Sequence, residues 1–171
     1  MTAIYIILAV IVAFTVFVAT RPNAFRLERS MVIKAPPEAI APYVADFRKW
    51  TAWSPYEKLD ADLRRTYSGT PSGVGAVYAW EGKKAGAGRM EITEASNSGV
   101  VAKLDFTKPM VAHNMAEFSF EPASEGTRVT WAMYGKCNMP SKLFSLFCNL
   151  DKMVGKDFEA GLKSLKSAVE A

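Results

Sequence analysis

Cysteine and histidine are scarce in this 171-residue chain, and their scarcity excludes several kinds of site. The chain has two cysteines, Cys137 and Cys148, and one histidine, His113. A disulfide framework needs more cysteine than this, and a structural zinc site needs four ligands that are mostly Cys or His. We therefore predict no metal site and no cofactor. Two free thiols in a reducing compartment are expected, with one disulfide in an oxidising space as the alternative.

Lys/Arg-rich runs, internal repeats and low-complexity segments are also absent. The net charge of +4 is mild for a nucleic-acid-binding protein, so no nucleic-acid partner is predicted. This small excess of Lys and Arg over Asp and Glu is more typical of a domain near an anionic membrane surface. Gly73 and Gly75 lead into a predicted strand rather than a helix, so they indicate a turn and not a phosphate-binding loop.

The first distinctive segment that is present is uncharged and covers residues 2–20. As a helix, its 19 residues would span about 28 Å, which is close to the thickness of a hydrocarbon core. A cleaved signal peptide is the alternative, but the segment lacks a positive start and a good cleavage site. We predict a transmembrane anchor at 2–20 and a short tether at 21–24. Arg21, Arg26 and Arg29 follow the span, so the positive-inside rule puts residues 25–171 in the cytoplasm.

The middle of the chain alternates apolar and polar residues in short segments separated by turn residues. This pattern predicts about seven strands, and the short connections require antiparallel neighbours. Two short helices are predicted after the first strand, with a break at Pro42. The resulting α+β order is strand, two short helices, six strands and a long helix.

The last predicted element is a helix of about 28 residues over 141–168. Its apolar residues recur every three or four positions, which gives one buried stripe: Leu143, Phe147, Leu150, Val154, Phe158, Leu162, Leu165 and Val169. Its lysines, Lys142 among them, fall off this stripe and are expected on a solvated face. Gly155 and Gly161 each cost about 1 kcal/mol against alanine in a helix. Replacing both is therefore expected to raise thermal stability and, if the helix bends there as a gate, to alter ligand exchange.

Four strings in the chain resemble one protein family. They are A-P-P-E-A at 35–39, D-F-R-K-W-T-A-W-S-P-Y-E at 46–57, G-V-G-A-V-Y-A-W-E-G at 73–82 and G-x-G-R-M-E-I at 86–92. Together they resemble the SRPBCC superfamily, which has the START-like or birch-pollen-allergen-like fold, and within it the bacterial polyketide cyclase/dehydrase-like group. The resemblance implies a helix-grip fold, in which a curved antiparallel sheet wraps around the long C-terminal helix.

The resemblance also implies a deep cavity between sheet and helix that holds a hydrophobic molecule or lipid. Without it, the same aromatic residues could equally form a filled core. The predicted lining consists of large apolar residues that alternate along the strands or lie on the helix stripe: Tyr78, Trp80, Phe106, Phe118, Phe120, Trp131, Met133 and Phe158.

Catalytic candidates are few, and each has an ordinary structural alternative. His113 could act as a general base, with Asp105 and Glu117 on neighbouring strands as orienting acids, and Glu91 and Glu117 are the carboxylate candidates. An edge histidine and solvent-facing carboxylates are the common arrangement. Cys148 has no predicted activating neighbour.

Three functions remain open at this stage. The first is a membrane-anchored protein that binds a hydrophobic small molecule or lipid and lies in the bacterial inner membrane as a single-pass protein. The second is a cyclase, dehydratase or hydrolase that acts on an apolar substrate. The third is a membrane-tethered module that binds a protein partner, with its interior filled.

Overall fold

The computed structural model describes residues 2–137, 142 and 150–171. Two helical turns of the 3₁₀ type, Phe47–Lys49 and Pro55–Lys58, lie on either side of the short helix α3. The described helices and strands are, in chain order, α1 (Thr2–Ala19), β1 (Ala24–Ile33), α2 (Pro37–Ala45), α3 (Trp50–Trp53), β2 (Arg64–Gly69), β3 (Ala76–Gly82), β4 (Gly86–Ser96), β5 (Gly99–Lys108), β6 (Ala112–Ala123), β7 (Gly126–Lys136) and α4 (Leu150–Glu170).

All seven strands form one antiparallel sheet in the order β1-β7-β6-β5-β4-β3-β2. Strands β2 to β7 follow one another as hairpin neighbours, and β1 joins the far edge by pairing with β7. Large apolar side chains from the inner face pack beneath α2, α3 and α4. The predicted helix-grip arrangement and the seven strands are therefore confirmed.

The predicted transmembrane anchor is wrong. Among the residues that the structure describes, no helix is long and apolar enough to cross a membrane. The helix α1 covers Thr2–Ala19 and has 18 residues. The anchor at residues 2–20 and the single-pass inner-membrane location that depended on it are both withdrawn.

Two indole rings fix the segment between β1 and β2. Trp50 Nε1 donates to the backbone oxygen of Val44 at 2.9 Å, and Trp53 Nε1 donates to that of Tyr43 at 3.0 Å. Both acceptors lie in the last turn of α2, where backbone carbonyls lack helical partners. The predicted break at Pro42 is wrong, because α2 continues through this residue to Ala45.

The C-terminal helix α4 lies on the inner face of the sheet through Phe158, Leu162 and Leu165, each no more than 2% exposed. These are residues of the predicted stripe. The first part of the predicted helix, residues 141 and 143–149, lies outside the described residues, as do Cys148 and the side chain of Leu150.

At the surface, Arg29 of β1 donates to Asp151 at 3.0 Å and to Glu159 at 2.8 Å.

Lys142 corrects the expectation of a fully solvated lysine face. It is only 6% exposed, and its Nζ donates to the backbone oxygen of Ala19 at 3.2 Å and to Asn23 Oδ1 at 2.6 Å. The oxygen of Ala19 is at the C-terminal end of α1, where a cation is favourable to the helix dipole. Lys142 therefore connects α1 to the start of β1.

The two helical glycines differ in what surrounds them. A Cβ at Gly161 would lie 2.6 Å from Cζ3 of Trp131 and 3.1 Å from Cδ of Pro55, whereas a Cβ at Gly155 would meet the guanidinium of Arg29. Trp131 is held in the core and cannot move freely, but Arg29 is a long side chain at the surface. The lack of a side chain at Gly161 thus allows close packing of α4 against Trp131, and we now expect alanine at this position to lower stability rather than raise it.

We predict that Gly161→Ala lowers the free energy of unfolding by about 1 to 2 kcal/mol, because overpacking outweighs the gain in helix propensity. Thermal and urea unfolding followed by circular dichroism would measure this. Gly155→Ala is the matched control: the same residues are exchanged, but the neighbouring group is mobile, so the loss should be smaller. Equal or higher stability of Gly161→Ala would contradict this packing.

Candidate functional site

A cavity of about 270 Å³ lies between the inner face of the sheet, α4 and the segment that follows α3. Its walls are mostly apolar and aromatic, with a few polar side chains. The lining residues are Trp50, Ser54, Tyr56, Glu57, Leu59, Leu63, Tyr78, Trp80, Ala85, Met90, Leu104, Phe106, Ala116, Trp131, Met133, Met153, Val154, Asp157 and Phe158.

One wall depends on a glycine opposite a tryptophan. Gly88 of β4 pairs with both Trp80 of β3 and Phe106 of β5, and a Cβ at Gly88 would lie 2.5 Å from the Trp80 ring. The indole therefore extends over Gly88 and meets Phe106 edge-on, with centroids 5.7 Å apart. Trp80 Nε1 donates to the backbone oxygen of Ala85 at 3.2 Å, which satisfies its polar atom.

A buried carboxylate lies beside this wall and is fully paired. The side chain of Glu57 is 4% exposed; Tyr78 Oη donates to one of its oxygens and Arg65 Nε to the other, each at 2.5 Å. Burial and, after it, the bond to Glu57 hold the pKa of Tyr78 far above its usual value. Tyr78 therefore keeps its proton and remains a donor at neutral pH.

A second polar part of the lining combines the turn after α3 with α4. Burial and the charge of Asp157 raise the pKa of Tyr56 far above its usual value. Asp157 is an exposed residue of α4, and partial desolvation of its carboxyl raises its pKa. Ser54 is 1% exposed, and its Oγ has no hydrogen-bond partner among the described residues.

The cavity opens to solvent past apolar side chains. Leu59 and Met153 belong to its lining, yet they are 43% and 59% exposed. Water-exposed apolar residues at the entrance of an apolar cavity are typical of a path for an apolar ligand.

Six of the eight residues predicted to line a cavity do line this one: Tyr78, Trp80, Phe106, Trp131, Met133 and Phe158. Phe118 and Phe120 do not. They lie in the filled part of the core, at 2% and 4% exposure.

The three predicted acid–base residues lie away from the cavity. The side chain of His113 is 76% exposed, and its Nδ1 bonds to Asp105 at 2.7 Å. Glu91 pairs with Arg89, and Glu117 pairs with Arg26. Arg89 and Glu91 lie on the same strand, β4, whereas the other two pairs join different strands. The structure does not bring the three candidates together.

Sequence reasoning missed the polar members of the site. Ser54, Tyr56 and Glu57 fall in the string S-P-Y-E, which the resemblance included, and Asp157 lies beside Phe158 on the helix stripe. Polar residues set among aromatic ones in that string were the available signal. Nothing in the sequence indicated that Asp157 would face them.

Breaking the Glu57 network should be costly. Glu57→Ala is expected to lower the free energy of unfolding by about 2 to 3 kcal/mol, because Tyr78 Oη and the Arg65 guanidinium lose their buried acceptor. Chemical denaturation would measure the change.

Glu81→Ala is the matched control for this prediction. Glu81 also pairs with two cations, Arg64 and Lys108, but its side chain is 44% exposed, so its loss should be far smaller. If Glu57→Ala lowers the free energy of unfolding as little as Glu81→Ala does, the Glu57 network does not stabilise the fold.

Comparison with known proteins agrees with this architecture. A family model described as "Polyketide cyclase / dehydrase and lipid transport" matches residues 24–170. None of the curated proteins compared with the chain matches it significantly. The sequence-based resemblance is thus confirmed for the family and its SRPBCC-type fold, but not for the added anchor.

Solved structures share the fold at low sequence identity. Protein CV1439 from Chromobacterium violaceum is 19% identical over 88% of this chain and 99% of its own, with a TM-score of 0.59. A Thermobifida fusca protein is 20% identical over 84% of this chain and 92% of its own, with a TM-score of 0.61. The di-domain ARO/CYC StfQ of the steffimycin biosynthetic pathway is 11% identical, with a TM-score of 0.66. Its match covers 86% of this chain and 51% of StfQ.

Proposed function

Because the chain belongs to the polyketide cyclase/dehydrase and lipid transport family, we propose that it binds a hydrophobic small molecule or lipid in the cavity between sheet and C-terminal helix. The observation that carries this proposal is the cavity itself, which is lined mainly by apolar and aromatic side chains and opens past Leu59 and Met153. Ligand sites in proteins typically combine such a lining with a few placed polar groups.

The size of the cavity restricts the ligand. Its volume of about 270 Å³ is near the lower end of the range of roughly 300–1,000 Å³ that is typical of small-molecule sites. A compact ring system or a single short chain suits this space better than a lipid with two long chains. Membrane anchoring forms no part of the proposal.

An enzyme that acts on an apolar substrate is supported less well. His113, Glu91 and Glu117 lie on the surface of the sheet and are paired with other side chains. Within the cavity, Glu57 is held by Tyr78 and Arg65, which leaves it little freedom to transfer a proton. The interaction-module alternative required a filled interior, and the interior contains a cavity instead.

We predict that Leu59→Asp weakens binding of the apolar fluorophore N-phenyl-1-naphthylamine roughly tenfold, equivalent to about 1.4 kcal/mol. A carboxylate in the lining must lose water when an apolar molecule enters, which is unfavourable. The full-length chain would be titrated while the emission of the fluorophore and of tryptophan is recorded. Trp50, Trp80 and Trp131 line the cavity, so their emission should change as the fluorophore binds.

Val74→Asp is the matched control. Val74 is likewise exposed, at 57%, but it is not part of the cavity lining, so its replacement should leave binding unchanged. If the wild-type chain binds neither this fluorophore nor any of a panel of lipids, and none co-purifies in native mass spectrometry, the proposed function is wrong. Equal weakening by both variants would place the binding site elsewhere.

A further inference from the structure

The polar groups of the cavity differ in how completely they are paired. Glu57 accepts hydrogen bonds from Tyr78 and Arg65, and the indole nitrogen of Trp80 donates to a backbone oxygen. These groups already have their partners, so they need nothing from a ligand. The wall formed by Ser54, Tyr56 and Asp157 is different.

Ser54 is the clearest case of an unpaired group. It is 1% exposed, and its Oγ is the buried side-chain polar atom that lacks a hydrogen-bond partner within the described part of the chain. Its backbone nitrogen donates to the oxygen of Trp50 at 2.7 Å, so its position is fixed by α3. Leaving a buried hydroxyl unpaired is unfavourable, and native proteins rarely do so without a ligand or water to complete it.

Asp157 is the second group on this wall that lacks a partner. Among the described residues, the structure gives it neither an ion pair nor a hydrogen bond, and desolvation alone accounts for the rise in its pKa. The charge of Asp157 contributes to the raised pKa of Tyr56, so the carboxylate and the phenol are close enough to interact electrostatically. Asp157 is an exposed residue, so water hydrates its carboxylate until a ligand displaces it, and a ligand that does so must supply a donor instead.

Close packing brings these groups onto one wall. Gly161 lies against Trp131 and Pro55, which follows Ser54 in the chain. Asp157 precedes Gly161 by four residues on α4, so both lie on the same face of the helix. The absence of a side chain at Gly161 therefore lets α4 place Asp157 over the turn that contains Ser54 and Tyr56.

We propose that Ser54, Asp157 and Tyr56 form a polar subsite that binds a hydroxyl group at one end of an otherwise apolar ligand. A ligand hydroxyl can donate to the Asp157 carboxylate and accept from Ser54 Oγ, which satisfies both unpaired groups at once. A pure hydrocarbon would leave both unsatisfied, and an anion would be repelled by Asp157. This inference rests on the proposed function and specifies the class of ligand.

Four molecules that share the naphthalene ring would test the subsite. 2-Naphthol, 2-methylnaphthalene, 2-naphthoate and 2-naphthylmethylammonium would each compete with N-phenyl-1-naphthylamine for the full-length wild-type chain. 2-Naphthol should bind at least about tenfold more tightly than 2-methylnaphthalene, because a site with unpaired polar groups rejects an analogue that lacks the hydroxyl. 2-Naphthoate should bind most weakly. Tighter binding of the ammonium compound than of the naphthol would overturn the hydroxyl assignment in favour of a cation.

Two variants connect the preference to the subsite. Ser54→Ala should reduce the ratio of 2-naphthol affinity to 2-methylnaphthalene affinity to about threefold or less. It should also raise the melting temperature of the ligand-free protein, because it removes an unpaired buried hydroxyl. Asp157→Asn should also reduce the ratio. Asp62→Asn, at an exposed loop position outside the cavity lining, should leave it unchanged.

The outcomes distinguish this inference from the proposed function. If the fluorophore binds but the preference for 2-naphthol is absent, or persists in both Ser54→Ala and Asp157→Asn, the hydroxyl subsite is wrong and the apolar cavity function stands. If the fluorophore and all four compounds fail to bind the wild-type chain, both are wrong. Loss of the preference in both variants, with Asp62→Asn unaffected, supports the subsite.

Discussion

The stacking of Phe158 on Trp131 is the contact on which the rest of the structure depends. The two rings are 4.1 Å apart and within 8° of parallel, and they join the C-terminal helix to the sheet. Trp131 also stacks on Phe118, its partner across β6 and β7, at 5.0 Å. Such aromatic pairs contribute about 0.5 to 1.5 kcal/mol beyond the burial of their surface. The contact is possible only because Gly161, one turn further along the helix, has no side chain to hold the helix away.

The same contact separates the filled core from the cavity. Along β6, Ala116 lines the cavity while Phe118 and Phe120 do not; along β7, which runs the opposite way, Trp131 and Met133 line it. The cavity therefore occupies the end of the sheet where β6 begins and β7 ends, and Trp131 stands at its boundary. A small residue at position 116 leaves space there, whereas large rings fill the other end.

This geometry explains how far the sequence could predict the site. Alternation along a strand identifies the inner face, and it correctly placed Trp131 and Phe118 there. Alternation does not show which end of a strand borders a cavity, so it could not separate lining residues from core residues. Helical periodicity likewise found Phe158 but treated Gly161 as a defect, since the neighbour that requires it is thirty residues away in the chain. The apolar character of residues 2–20 predicted an anchor, whereas no helix among the described residues is long and apolar enough to cross a membrane.

Whether a polar side chain has a hydrogen-bond partner is a better guide to a ligand-binding role in this fold than its residue type. His113 has the side chain most often used for proton transfer, but it is exposed and bound to Asp105 at the surface. Glu57 lies in the cavity wall, yet its oxygens are fully used in holding that wall together. Ser54 is chemically ordinary, but it is buried and its Oγ has no hydrogen-bond partner among the residues that the structure describes. A protein retains an unfavourable group of this kind where something else completes it. We therefore expect the polar group of a ligand to be recognised by the wall of Ser54, Tyr56 and Asp157, and not by the most reactive side chain of the protein.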